Sequence, residues 1–110
     1  MRAAPRTDIE TVLCDVRSAI EAKNYQLRPR KRNNDTLAGL GFTIIDAFDS
    51  IYELTVDEYD SGPLIDRDDA DSPMYWVFKK PIWGRTVYIK LKILEDTNQL
   101  VVKSFHTDNI

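Results

Sequence analysis

The sequence predicts an α+β fold in which N-terminal helices pack on a small antiparallel β-sheet, and three observations carry that prediction. Apolar residues recur at helical spacing over residues 8–23, and a second helical pattern runs to about residue 52. The last third switches to a period of two: Val87, Ile89, Leu91 and Ile93 alternate with Thr86, Tyr88, Lys90 and Lys92. Helices followed by strands, with no βαβ alternation, is the α+β order. At 110 residues the chain is read as one domain: helices over about 8–52, an acidic loop over 57–73 and a sheet over 75–106.

The elements follow in order. Thr7-Asp-Ile-Glu10 has capping-box spacing, so Thr7 is the expected N-cap of the first helix, with Ile9, Val12, Leu13, Val16 and Ile20 as its buried stripe. Asn24 is a plausible stop. Residues 26–34 form a basic loop in which Pro29 bars a helix interior. Asp35 or Thr36 can cap a short turn of helix that Gly41 ends. Thr43 then starts a helix to about Tyr52, expected to bury Ile44 or Ile45 with Phe48 and Ile51. Thr55-Val-Asp-Glu58 repeats the capping-box spacing and suggests one more short turn. Gly62-Pro63 is expected to break the chain, and the acidic loop runs on to Pro73.

Three antiparallel strands are expected at Tyr75–Lys80, Arg85–Ile93 and Leu100–His106. The connector between the last two sets their register. A three-residue loop with Asn98 in the left-handed conformation pairs Glu95 with Gln99 and places Tyr88 opposite His106, Lys90 opposite Ser104 and Ile93 opposite Val101. Val101 and Phe105 then join the apolar face, and Tyr88, Lys90, Lys92, Ser104 and His106 gather on the other. A slip of one residue would reverse the faces and expose Phe105. Lys103 fits neither face well.

Composition narrows the function classes. No apolar run approaches the ~20 residues of a membrane span, and the first residues have no leader-like apolar core. A single cysteine, Cys14, cannot form an internal disulfide, so a reducing cytoplasm is expected. The net charge is −3, against the habit of nucleic-acid binders, but the charges are segregated. Residues 57–71 carry a local −6, whereas the chain from Ser72 onward carries a local +3. Beyond a Debye length of ~8 Å such regions act independently.

Arg28-Pro-Arg30-Lys31-Arg32 can grip phosphates or serve as a solvated connector. The run from Asp66 to Asp71 lacks the mid-loop Gly and closing Glu of a calcium-binding EF-hand loop, so no metal or other cofactor is expected. Trp76 and Phe78 fit core packing, while Trp83, in the Pro81–Gly84 turn, is expected to be partly exposed. The set able to do chemistry is His106, Tyr88 and Lys90. RNA is cut without metal when a 2′-OH attacks the adjacent phosphate, a step that needs a base, an acid and cations for the phosphorane charge. An imidazole titrating near ~6.5 supplies acid or base, and Lys90 and Arg85 can neutralise the phosphorane. Lys92, Lys79, Lys80 and the Arg28–Arg32 cluster are the expected RNA-binding cations. A lone histidine at a strand end can also be a simple surface residue, and the basic face can also be a non-catalytic binding surface for RNA or protein.

Trp76-Val-Phe-Lys-Lys, Val87-Tyr-Ile-Lys-Leu and Val102-Lys-Ser-Phe-His resemble the C-terminal sheet of MqsR-like toxins, and the likeness extends over roughly residues 43–106. That resemblance implies a RelE-like fold, metal-independent mRNA endonuclease activity, possible use of the ribosome, and a cognate antitoxin protein that holds the enzyme inactive. Residue by residue, it places Tyr88 at the active-site tyrosine, Lys90 at the strand lysine and His106 at the basic residue after Ser-Phe. Val77 stands where the family has Gln, and the lysine that precedes the family's sheet has no counterpart in this chain's acidic loop.

Overall fold

The computed structural model describes residues 3–69 and 72–107, and it has an α+β fold: three helices packed on a five-stranded, mostly antiparallel sheet. In chain order the elements are α1 (Arg6–Glu21), β1 (Tyr25–Leu27), α2 (Lys31–Leu40), α3 (Ile44–Tyr52), a 3-10 turn (Val56–Glu58), β2 (Tyr59–Leu64), β3 (Tyr75–Ile82), β4 (Arg85–Ile93) and β5 (Leu100–His106). The strands lie in the order β1-β5-β4-β3-β2, with β1 parallel to β5 and every other pair antiparallel.

The helices cover one face of the sheet. Ile9, Val12, Leu13 and Val16 of α1 and Ala47, Phe48 and Ile51 of α3 form one core with Phe78, Val87, Ile89, Leu91, Val102 and Phe105. Tyr25 of β1 stacks on Phe48 at 3.9 Å between ring centroids, which ties the short parallel strand to α3. Two expectations about the helices are corrected. Thr7 lies inside α1, whose N-cap is Pro5; Glu10, which would have completed the box, instead binds Arg6 Nε at 2.9 Å. In α3, Thr43 and Asp46 do form a reciprocal capping box, but Ile44 and Ile45 are exposed, and it is Ala47 that joins Phe48 and Ile51 inside.

α2 starts earlier than expected and absorbs Lys31–Asn34 of the predicted basic loop; Pro29 sits just outside it, and Gly41 ends it in the left-handed conformation (φ 70°). This helix completes the sheet edge. β1 pairs with β5 only as far as Leu27 opposite Val102, and Arg28 N donates to Val102 O before Pro29, which has no N–H, ends the ladder. Side chains of α2 take over from there. Asn33 Nδ2 donates to Lys103 O and Arg28 O at 3.0 Å, and its Oδ1 accepts from Phe105 N at 3.0 Å. Thr36 Oγ1 then accepts from Thr107 N at 3.2 Å. Both side chains are buried, so a helix does for the end of β5 what a neighbouring strand would otherwise do.

The predicted acidic loop is in part a strand. β2 pairs with β3 across two register shifts, and Gly62-Pro63, joined by a cis peptide, lies within it rather than breaking the chain. A Cβ on Gly62 would meet Tyr75 O at 2.9 Å, so the close approach of β2 to β3 requires glycine there. Tyr59 OH donates to Gly62 O at 2.6 Å and accepts from Ala4 N at 3.2 Å, fixing both β2 and the start of the chain.

The β4–β5 hairpin holds the expected partners at its far end and shifts them near the turn. Asn98 is left-handed (φ 59°), but the loop has four residues, closing between Leu94 and Gln99 with Leu94 N donating to Gln99 O. Ile93 therefore faces Leu100, not Val101, and Val101 sits opposite Lys92, outside the helix-side core. A bulge at Lys103 then restores the predicted register, with Lys90 opposite Ser104 and Tyr88 opposite His106. The bulge also settles Lys103, whose ammonium lies on the second face, 5.3 Å from the centre of the Tyr75 ring.

Candidate functional site

The face of the sheet away from the helices forms the floor of a cleft of about 840 Å³. Tyr88, Lys90, Ser104 and His106 rise from β4 and β5 because alternation sends every second side chain to this face. Arg30 and Arg32, at the start of α2, form one wall, and the strap that follows β2, from Ile65 to Asp68, forms the other. Tyr88 and His106 stack with ring centroids 5.2 Å apart and planes 17° from parallel. Nδ1 of His106 is shielded from solvent.

Beneath the lysines lies Tyr75, 2% exposed, whose ring attracts three ammonium groups: Lys90 at 5.1 Å, Lys92 at 4.6 Å and Lys103 at 5.3 Å from its centre. Such cation–π contacts hold like charges together that would otherwise spread apart. The crowding leaves a trace on Lys90: burial first, and then the charge of Lys103, lower its pKa below the ordinary lysine value. An anion in the cleft would offset both effects by favouring the charged ammonium.

Lys92 is expected from the sequence to bind RNA, and here the structure corrects the reading. The residue is 3% exposed, and its ammonium donates to Asp66 Oδ2 at 2.9 Å and Ser72 Oγ at 2.7 Å. The pair anchors the strap to the sheet. The hydrogen bond from Lys92, followed by one from Asp68 N, lowers the Asp66 pKa to about 2 against the opposing cost of burial. An unfolded aspartate titrates near ~3.9, so this carboxylate contributes stability that is fully present above about pH 4 and is lost as pH falls toward 2. Acid titration of stability should therefore lose this component between those values in Asp66→Asn. An unchanged acid limb in the variant would show that the pair does not hold the strap.

The remaining predicted cations divide. Arg28 lines a second lobe that continues the cleft along β5. Lys79 shares the site face, directly opposite Tyr88 on β3, and makes an ion pair with Asp60 at 3.3 Å. Lys31 points to the outer surface of α2, paired with Asp35 at 2.6 Å. Lys80 alternates to the helix side, 3.9 Å from Glu58 and only 16% exposed at its side chain. Arg85, at the hairpin turn, shares the register side of Val87 and is not part of the cleft. Trp83, in the left-handed turn position (φ 50°), is 74% exposed and touches the edge of Phe42.

Arg67, Lys103, Tyr75 and Asn33 belong to the site or to its support without having been picked out from the sequence. Tyr75 was legible in principle, since it shares the parity of Val77 and Lys79. The start of α2 adds to the positive field. Its N-cap is Arg30, its first turn carries Lys31 and Arg32, and no acidic residue stands there. Cations at a helix N-terminus oppose the dipole by about 0.3–1 kcal/mol each when exposed, so the arrangement is costly for folding and suited to an anion.

No protein-family model matches the chain, and no curated protein matches it in sequence. Among the described residues no group of three or more His, Cys, Asp or Glu side chains could hold a metal ion. No helix among them is long and apolar enough to cross a membrane.

Proposed function

We propose that the protein is an endoribonuclease of the RelE-like, MqsR-like toxin kind, cutting mRNA through attack of a 2′-OH on the adjacent phosphate. The observation that carries this reading is the Tyr88–His106 stack beside Lys90 in a cleft walled by Arg30 and Arg32. It puts a proton-transfer group, a hydroxyl and phosphate-binding cations in one place, as the reaction requires.

In this mechanism Lys90, Arg30 and Arg32 hold the scissile phosphate and offset the charge that develops on its oxygens. His106, with Nδ1 shielded, takes the 2′-OH proton at Nε2 and, as the imidazolium, returns a proton to the leaving 5′-oxygen. Tyr88 orients the ring by stacking and offers its hydroxyl to the phosphorane. The bond formed joins the 2′-oxygen to phosphorus, the bond broken releases the 5′-oxygen, and the product keeps a 2′,3′-cyclic phosphate. The toxin assignment adds a biological consequence: a cognate antitoxin must cover this cleft in the cell.

Induction of the protein alone in bacteria should arrest growth and deplete intact mRNA, both reversed by His106→Ala. Normal growth with soluble protein accumulating would leave only a non-catalytic binding module on the same face.

A further inference from the structure

The cleft does not end at the Tyr88–His106 stack. A second lobe of about 610 Å³ continues from it, sharing Arg30, Tyr75 and Lys103 and adding Arg28 on the far side. We propose that Arg28 and Lys103, with Arg30 shared between the two lobes, form a second phosphate subsite, which takes the neighbouring phosphodiester of a single RNA strand. This inference rests on the ribonuclease reading and specifies how much of the strand the protein holds.

Three observations support it. The β5 bulge turns Lys103 onto the site face, three residues before His106, a separation of about 10 Å along a strand. One or two nucleotides span that distance. Arg28 and Arg30 flank Pro29 at the point where β1 gives way to α2, so their backbone is fixed by the hydrogen bonds from Arg28 N to Val102 O and from Asn33 Nδ2 to Arg28 O. The opposite wall of the lobe is acidic, lined by Asp66, Asp68 and Asp69, yet the two carboxylates that face its lysines differ in role. Asp66 is committed to Lys92, whereas Asp68 lies 3.8 Å from Lys103 with its side chain 88% exposed. An ion pair that long and that exposed is weak. Asp68 thus occupies the place on Lys103 that a phosphate would take, and a bound strand displaces it at little cost.

The test compares binding of fully 2′-O-methylated oligonucleotides, which cannot be cut by 2′-OH attack. A dinucleotide has one phosphodiester and a trinucleotide has two. The trinucleotide should bind more tightly, and its affinity should fall more steeply with salt, by about 0.7 in the log–log slope for the extra phosphate on a single strand. Arg28→Ala and Lys103→Met should each bring the trinucleotide-to-dinucleotide affinity ratio toward one. Asp68→Asn should raise trinucleotide affinity by about two- to fivefold, the strength of one exposed pair. Equal affinities and slopes for the two ligands in the unmodified protein, or a ratio unmoved by both cation variants, would overturn the subsite. If dinucleotide binding still depends on Lys90 in that case, only the subsite fails; if it does not, the ribonuclease reading fails with it.

Discussion

His106→Ala should abolish RNA cleavage, a loss of about 10²–10⁴-fold for a general acid or base, while RNA is still bound. Lys90→Ala should fail differently. It removes a cation from the cleft floor, so binding and cleavage weaken together and the salt dependence of binding falls by about 0.7 in the log–log slope. Tyr88→Phe keeps the ring that stacks on His106 at 5.2 Å, so any fall in rate belongs to the hydroxyl. Binding isotherms at several salt concentrations, read beside single-turnover rates, separate the three. Cleavage that survives His106→Ala would reduce the strand-end histidine to a surface residue and assign the face another use.

The second large effect is expected far from the reacting atoms. Asn33 is 1% exposed and makes three hydrogen bonds, two of which replace the missing strand ladder beside Lys103 and Phe105. Asn33→Ala leaves Phe105 N–H and Lys103 C=O buried beside a gap, at about 1–3 kcal/mol for each unpaired group. For a domain of this size that corresponds to a fall in Tm of about 4–8 °C per kcal/mol. Because β5 ends in His106, the same change should loosen the Tyr88–His106 stack. Measured well below either Tm, cleavage should fall through kcat, and the limb of the pH–rate profile belonging to His106 should move. A lower Tm with an unchanged profile would make Asn33 a stabilising residue only.

The parts of the molecule legible in the sequence are those governed by neighbours a few residues away. Alternation in Arg85–Ile93 reads directly as β4, Asn98 announces its left-handed turn, and Tyr88, Lys90, Ser104 and His106 reach one face as the hairpin register requires. The helix start at Thr43 and the glycine stop at Gly41 are equally local. What stayed hidden depends on partners distant in the chain. Lys92 looks like its neighbour Lys90 until Asp66, 26 residues away, is found buried against it. Asn33 looks like part of a basic loop until Phe105, 72 residues on, is seen to need its side chain. The three residues of β1 are too few to show a period and exist because β5 offers an open parallel edge. The shifted turn register has the same origin. One residue gained in the loop is returned at the Lys103 bulge, so the site face is as expected while Val101 changes sides.

The chemistry of the cleft is most directly tested by the ends of the RNA it makes. Incubated with RNA in EDTA, the protein should give fragments ending in 2′,3′-cyclic phosphate with free 5′-hydroxyls. It should give none from a 2′-O-methylated strand and none with His106→Ala. Fragments carrying 3′-hydroxyl and 5′-phosphate ends, or cleavage that appears only when a divalent ion is added, would contradict the proposed mechanism.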